Sequence, residues 1–325
     1  MVLSLVIPCF NERDSLAPLL QALAGLRRDL PADLPLELVL VDDGSRDGTA
    51  EALRQQAPAL AALGSWQLLE LSRNFGKEAA LLAGLDHASG AAAVLLDADL
   101  QDPPELIPAM VEAWRGGAQV VNGVRRERRG DGWAKRLTAH WFYRVFRATS
   151  HLDIRLDASD FRLIDRAVID AILACRERVR FSKGFVAWAG FRQIDLPYDR
   201  PAREAGRSAF GFWKLWNYAL DGLFSFSTAP LRIWTYLGGA VALLSVTYTV
   251  VIVLRALMGG IDVPGYASIV AILTFLGGMQ MIGIGLIGEY VGRIYLEVKQ
   301  RPHYVLRRRD SGQPSPAAAS TSRAR

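Results

Sequence analysis

Two stretches near the C-terminus limit this chain more than anything else in it. Residues 233–254 carry no charge between Arg232 and Arg255, and residues 263–288 carry none between Asp262 and Glu289. Each exceeds the roughly 20 residues that a helix needs to cross a bilayer. The segment between them, 255–262, is short, so the pair reads as a two-helix transmembrane hairpin over 233–288. Lys214 and Arg232 precede it, and Arg293, Lys299, Arg301, Arg307, Arg308 and Arg309 follow it. Basic flanks face the cytoplasm, so both ends of the hairpin are expected there. The apolar start has no basic segment before it and ends in Pro8 and Cys9, unlike a secretory signal. The part ahead of the hairpin is therefore expected to be a cytoplasmic domain on the cell (inner) membrane.

The whole-chain averages blend two materials. A hydrophobic fraction of 51% and a mean hydropathy of +0.15 belong to a membrane part and a soluble part taken together. The net charge of +5, beside two uncharged spans, points to a membrane surface and an anionic substrate rather than to nucleic acid. Two cysteines, Cys9 and Cys175, are too few for a disulfide framework and fit a reducing compartment.

Ahead of the hairpin, strand and helix alternate. Apolar runs at 2–7, 36–41, 66–71, 91–96 and 119–122 read as strands, and 16–26, 47–53, 77–88 and 104–114 as helices. That pitch predicts an α/β domain with a mostly parallel sheet flanked by helices, whose ligands sit beyond the carboxyl ends of the strands. From 125 to 207 the pattern turns irregular and arginine-rich. Residues 210–226 crowd Phe210, Phe212, Trp213, Trp216, Tyr218, Phe224 and Phe226 beside few charges, as interfacial helices do.

Three polar clusters fall at predicted strand ends. Asp97-Ala98-Asp99 follows the run 91–96. At a strand end, residues i and i+2 share a face, so two carboxylates, with Gln101 as a further oxygen, suit Mg²⁺ or Mn²⁺ shared with substrate phosphates. Asp42 and Asp43 follow the second strand and offer acceptors for a base or ribose, while Asp47 reads as a helix N-cap. Pro8-Cys9-Phe10-Asn11-Glu12 follows the first strand; Cys9 reads as a packing residue, with no histidine near it in sequence.

Taken in order, Pro-Cys-Phe-Asn-Glu, Val-Asp-Asp-Gly-Ser-Arg-Asp-Gly-Thr, Arg-Asn-Phe-Gly-Lys and Asp-Ala-Asp-Leu-Gln-Asp-Pro-Pro resemble the inverting GT-A (Rossmann-like) glycosyltransferases of family 2. Within that group the set is similar to the polyprenyl-phosphate sugar transferases. Asp-Phe-Arg-Leu at 160–163, the basic stretch 200–208 and the hairpin extend the likeness over roughly residues 2–309. The resemblance implies transfer of a sugar from a nucleotide-sugar, a UDP-linked hexose, to polyprenyl (undecaprenyl) phosphate for cell-envelope glycan modification. It implies nucleotide contacts at Pro8, Phe10, Asn11, Glu12, Asp42, Asp43 and Lys77, and a metal and diphosphate site at Asp97, Asp99 and Gln101. Arg125 and Arg136 match residues that grip the acceptor phosphate, and Asp160 matches a functional carboxylate of open role. The expected organisation is a catalytic domain at 1–209, interfacial helices at 210–232, the hairpin at 233–288, a basic juxtamembrane segment at 289–309 and a disordered tail at 310–325. A homo-oligomer stays open.

The chemistry agrees with that assignment. A lipid phosphate oxygen is already anionic, so no strong base is required. The harder tasks are bringing two anions together, which arginine forks do, and stabilising the leaving diphosphate, which a divalent cation does. Three rivals fit less well. A dinucleotide oxidoreductase wants Gly-x-Gly-x-x-Gly where the chain has Pro-Cys-Phe-Asn-Glu. A processive polysaccharide synthase wants a Gln-x-x-Arg-Trp motif that the chain lacks. A non-catalytic membrane scaffold has no use for Asp97, Asp99 and Asp160.

Overall fold

A computed structural model describes residues 1–125, 158–175, 177, 182–198, a set of positions between 234 and 254, and 265–314. The chain divides into two compact units. The first comprises Met1–Tyr143, Leu152–Gly211 and Arg301–Arg325, and the second Arg144–His151 and Phe212–Gln300.

The first unit is the expected α/β domain. In chain order it runs β1 (Leu3–Cys9), α1 (Leu16–Asp29), β2 (Leu36–Asp42), α2 (Thr49–Gln55), α3 (Ala57–Leu63), β3 (Ser65–Leu71), α4 (Lys77–His87), β4 (Ala92–Leu95), α5 (Ile107–Arg115), β5 (Val120–Arg125), β6 (Ala158–Asp165), α6 (Arg166–Ala174), α7 (Ser182–Trp188) and β7 (Gln193–Tyr198). The second unit contributes α8 (Tyr266–Val298), after which β8 (Leu306–Gly312) returns to the first.

The eight strands form one sheet in the order β7-β5-β6-β4-β1-β2-β3-β8. β6 and β8 run against the other strands. β1 pairs with β2 on one side and β4 on the other, so their connections leave in opposite directions and open a crevice at the carboxyl ends, the usual place for a ligand.

Burial explains these elements. All seven residues of β2 are buried, the mark of a parallel strand covered on both faces. Of its two carboxylates, Glu37 survives in the middle of the sheet because Ser4 Oγ, Gln67 Nε2, Ser89 N and Ser89 Oγ all donate to it, at 2.5–2.9 Å. α1 buries Leu16, Leu19, Leu23 and Leu26 at helical spacing. α4 buries every residue from Ala80 to Leu85, and it lies so close to β1 that a Cβ on Gly84 would fall 2.2 Å from Val6 Cγ1.

Several expectations need correction. The helix expected at 47–53 starts at Thr49 and is followed by α3, which begins after a break at Gln56 with Pro58 in its first turn. The irregular stretch 125–207 contains β6, α6, α7 and β7. Asp310, Ser311 and Gly312, expected in a disordered tail, are the end of β8. That strand is held by pairing with β3 and by Arg54, which binds Asp310 (Nε to Oδ2, 2.9 Å) and Glu70. Arg309 adds a hydrogen bond to Gln67 Oε1 at 2.9 Å.

In the second unit the described positions between 234 and 254 are helical, and α8 runs for 33 residues. Among the described residues no helix is long and apolar enough to cross a membrane. That statement leaves out much of the start of α8, where the side chains of Tyr266, Ala267, Ser268, Val270, Ala271 and Thr274 are outside the described set. Along the rest of the helix Phe275, Met281, Ile282, Ile284, Ile287 and Ile294 are all exposed. The aromatic stretch 210–226 lies outside the described residues.

Candidate functional site

The site grows from the loops at the carboxyl ends of β1, β2, β3 and β4. After β1 the chain turns at Asn11, which adopts a left-handed φ of 56°. Its backbone N–H donates to Ser45 Oγ at 2.9 Å, and its Oδ1 accepts from the Arg46 N–H at 2.9 Å. Glu12 N–H donates to Thr49 Oγ1 and Arg13 N–H to Asp47 Oδ2, at 3.0 and 3.1 Å. Asn11 and Asp47 therefore staple the β1 loop to the β2 loop. Gly48, with φ of 87°, takes the N-cap position of α2 that the sequence assigned to Asp47. Phe10 stands out from this pair of loops at 45% exposure. Pro8 is half-buried, and the Glu12 carboxylate accepts from Ser15 Oγ at 2.6 Å. Cys9 is buried, and burial, reinforced by Asp42 and Glu12, holds its thiol far above the usual range. It is a packing residue, not a nucleophile.

The two aspartates that end β2 do different things. Asp43 accepts from the backbone N–H groups of Phe75 (2.7 Å) and Gly76 (2.9 Å), so it shapes the loop that leads into α4. Gly44 lets that loop close in. Its φ is 69°, and a Cβ there would meet the Arg73 carbonyl carbon at 2.4 Å. Asp42 is 1% exposed, and its Oδ2 accepts from Ser45 N–H at 3.2 Å. Its Oδ1 is buried with no hydrogen-bond partner. Burial pushes the Asp42 carboxyl above its ordinary range, against the hydrogen bonds from Ser45. An orphaned buried acceptor is costly, so this oxygen stands out among the polar groups at the end of β2.

At the other side of the crevice an ion-pair cluster forms. Lys77 is the first residue of α4 and follows Gly76, at φ of 98°. Its Nζ lies 2.7 Å from Asp97 Oδ1, 2.8 Å from Asp97 Oδ2 and 3.0 Å from Asp160 Oδ2. The β4–β6 pairing brings the carboxylates near one another: Leu95 of β4 opposes Arg162 of β6, with Asp97 two residues beyond the one and Asp160 two residues before the other. Burial would lower the Lys77 pKa, but Asp160 and Asp97 outweigh it and hold the ammonium well above the lysine range. Burial raises the Asp97 carboxyl against the pull of Lys77. Lys77, expected on the nucleotide side, therefore stands among the carboxylates.

The segment after β4 is a turn, not a strand end. The Asp97 carbonyl accepts from Leu100 N–H at 3.4 Å, and Leu100 has a left-handed φ of 53°. Strand parity thus does not govern Asp97 and Asp99, because β4 stops at Leu95. Asp99 is exposed and its Oδ1 accepts from Gln101 N–H at 3.1 Å, while Gln101 Oε1 is buried with no hydrogen-bond partner. Among the described residues no three His, Cys, Asp or Glu side chains form a ready metal cluster. Asp97, Asp99 and the orphaned Gln101 oxygen are nonetheless hard donors of the kind Mg²⁺ or Mn²⁺ takes, with substrate phosphates filling the rest. The sequence reading missed Asp102, which is buried just beyond and accepts from Tyr198 Oη on β7. In the sequence it stands only as the third acid of Asp97-Ala-Asp-Leu-Gln-Asp102, with nothing to mark its burial.

Arg125 ends β5 opposite Tyr198, at the same rim of the sheet as Asp97, because β5 and β4 run the same way. Its side chain, and the whole of Arg136, lie outside the described residues, as does the basic stretch 200–208.

With that geometry established, the chain can be set against known proteins. Residues 4–173 match the model "Glycosyl transferase family 2", and residues 229–294 match "GtrB C-terminal hairpin". An uncharacterized glycosyltransferase of Synechocystis sp. is 47% identical over 304 residues, covering 94% of both chains. A prophage-derived bactoprenol glucosyl transferase of Shigella flexneri is 44% identical over 317 residues, covering 97% of this chain and all of the relative. A mannosyltransferase from Pyrobaculum calidifontis, solved with GDP-Man and Mn²⁺, is 20% identical over 90% of this chain and 87% of its own, with a TM-score of 0.45.

Proposed function

We propose that this chain, which belongs to glycosyl transferase family 2, moves a hexose with inversion from a UDP-sugar to a polyprenyl phosphate. The observation that carries the reading is the meeting of Lys77, Asp97 and Asp160 on the rim where Asp42 keeps one buried oxygen open. That rim offers an acceptor for a nucleoside at one end and charges for a diphosphate at the other. The near full-length likeness to a bactoprenol glucosyl transferase supports a lipid phosphate as the acceptor.

Each residue then has a task. Asp42 Oδ1 accepts from the uracil or ribose, while Asp43 holds the 73–77 loop against the nucleotide and Phe10 offers an exposed ring. Asp97, Asp99 and Gln101 hold a divalent cation, which supplies Lewis-acid charge for the leaving diphosphate. Arg125, with Arg136, draws in the lipid phosphate by charge-assisted hydrogen bonds. That phosphate is an anion at neutral pH and attacks the anomeric carbon from the face opposite the diphosphate. Asp160 is placed beside the reacting centre to orient an acceptor or sugar hydroxyl, not to remove a proton.

The membrane half of the reading rests on different support. Residues 233–254 and 263–288 are uncharged, apolar side chains stand exposed along α8, and residues 229–294 match a hairpin model. We place the pair in the inner membrane, with both ends and the catalytic domain cytoplasmic.

The test is nucleotide release by the full-length protein from a panel of UDP-, GDP- and CDP-sugars, with and without polyprenyl phosphate. UDP release that requires the acceptor is expected. Release indifferent to the acceptor, or confined to another base, overturns the assignment.

A further inference from the structure

The ammonium of Lys77 lies where a catalytic cation needs access. We propose that Lys77 is a positioning residue that closes the cation site of the ligand-free protein and makes cation capture depend on the nucleotide-sugar. The inference rests on the proposed role of Asp97, Asp99 and Gln101 as cation donors.

The geometry supports it in three ways. Both oxygens of Asp97 lie within contact of one ammonium, at 2.7 and 2.8 Å. A divalent cation takes carboxylate oxygens at about 2.0–2.6 Å, so the two positive charges cannot share that face without strong repulsion. The remaining donors do not make up the loss. Asp99 is exposed and already accepts from Gln101 N–H, Gln101 adds one neutral oxygen, and among the described residues no three acidic or imidazole groups cluster. Only an incoming diphosphate brings enough negative charge for a cation and an ammonium to coexist.

Lys77 is also built to move. Its side chain is 42% exposed, and four methylenes let Nζ swing from Asp97 while the helix stays in place. Its root is fixed, because Asp43 accepts from the N–H of the preceding Gly76 at 2.9 Å. After it leaves Asp97, Lys77 can keep Asp160 or reach the diphosphate. The residue thus links the donor and acceptor sides of one crevice.

The test uses Mn²⁺ alone, titrated into the full-length protein and read from the paramagnetic resonance of the free ion. Wild type should bind weakly without nucleotide. Lys77→Met should bind about ten- to hundredfold more tightly, the worth of one charge-assisted contact. Lys77→Arg keeps the charge and should stay weak, and added UDP should narrow the gap between wild type and Lys77→Met. Adding Asp97→Asn to Lys77→Met should cancel the gain. A Lys77→Met protein that binds Mn²⁺ no better than wild type overturns the inference, and so does a gain that survives Asp97→Asn. Sugar transfer by wild type, measured on the same preparation, separates the two claims. Transfer without this Mn²⁺ pattern removes the role of Lys77 alone, whereas no transfer at all removes the proposed function.

Discussion

Replacing Asp42 with asparagine should make the protein more stable and less able to hold its donor. Asp42 is 1% exposed, one of its oxygens has no hydrogen-bond partner, and burial raises its carboxyl above the ordinary 3.8. Leaving a buried polar group unsatisfied costs about 1–3 kcal/mol, more when it is charged. Asparagine keeps an oxygen for the Ser45 N–H and removes the charge, while its amide N–H groups take the unpaired place, so only the extra cost of a charged over a neutral unsatisfied group is recovered, about 1 kcal/mol at pH 7. For a domain of this size that raises Tm by roughly 2–4 °C. The pH dependence has a definite sign. A carboxyl raised in the folded state penalises folding only when ionised, so the variant's advantage should be absent below pH 3.8 and grow as pH climbs through the raised value. Thermal unfolding across that range and UDP titration of the same samples test both halves. UDP affinity should fall by about ten- to hundredfold, the worth of a hydrogen bond to a charged acceptor. An Asp42→Asn protein that is less stable at pH 7, or that binds UDP like wild type, would refute the reasoning.

Asp310→Ala should lower Tm by roughly 2–4 °C, about 1 kcal/mol after solvent screening, because Arg54 and Arg308 both bind that carboxylate at 2.9 Å. Those partners hold the Asp310 carboxyl below its ordinary value, so the difference from wild type should be full above about pH 4 and vanish as pH falls through the depressed value; a difference independent of pH would contradict the ion pair. For topology, cysteines engineered at positions 4, 260 and 311 should leave only position 260 open to an impermeant reagent from outside the cell. External labelling at 311 would defeat the two-span arrangement.

How much of this was legible in the sequence depends on where the signal lies. β1, β2 and β3 announce themselves because parallel strands buried on both faces are near-continuous apolar runs; all seven residues of β2 are buried and five of them are Leu or Val. The acidic clusters at their ends were visible for the same reason: a polar turn after such a run marks the ligand side of the sheet. β8 was not visible, since Leu-Arg-Arg-Arg-Asp-Ser-Gly has no apolar period. It pairs at an edge, where charge is tolerated and useful, and its partners Arg54 and Glu70 lie far away in sequence. β6 was obscured in a similar way by Arg162, a buried arginine within a strand. The division of labour between Asp42 and Asp43 also escaped the sequence. Adjacent acids look alike there, whereas the fold gives one to the Phe75 and Gly76 amides and leaves the other an open oxygen. That Lys77, at the head of α4, pairs with Asp97 and Asp160 was not visible either, because the loop from β3 brings it to residues after β4 and in β6 that lie far from it in sequence.

The central claim is that the acceptor is a membrane-bound phosphate carrying away one sugar. The most direct measurement is the mass of the lipid formed when the full-length protein is given a UDP-hexose with polyprenyl phosphate, and in parallel with the dephosphorylated polyprenol. The account predicts a product heavier than the lipid phosphate by one hexosyl residue, formed only when the phosphate is present, and lost in Asp97→Asn. A ladder of sugars on the lipid, or equal transfer to the bare alcohol, would contradict it.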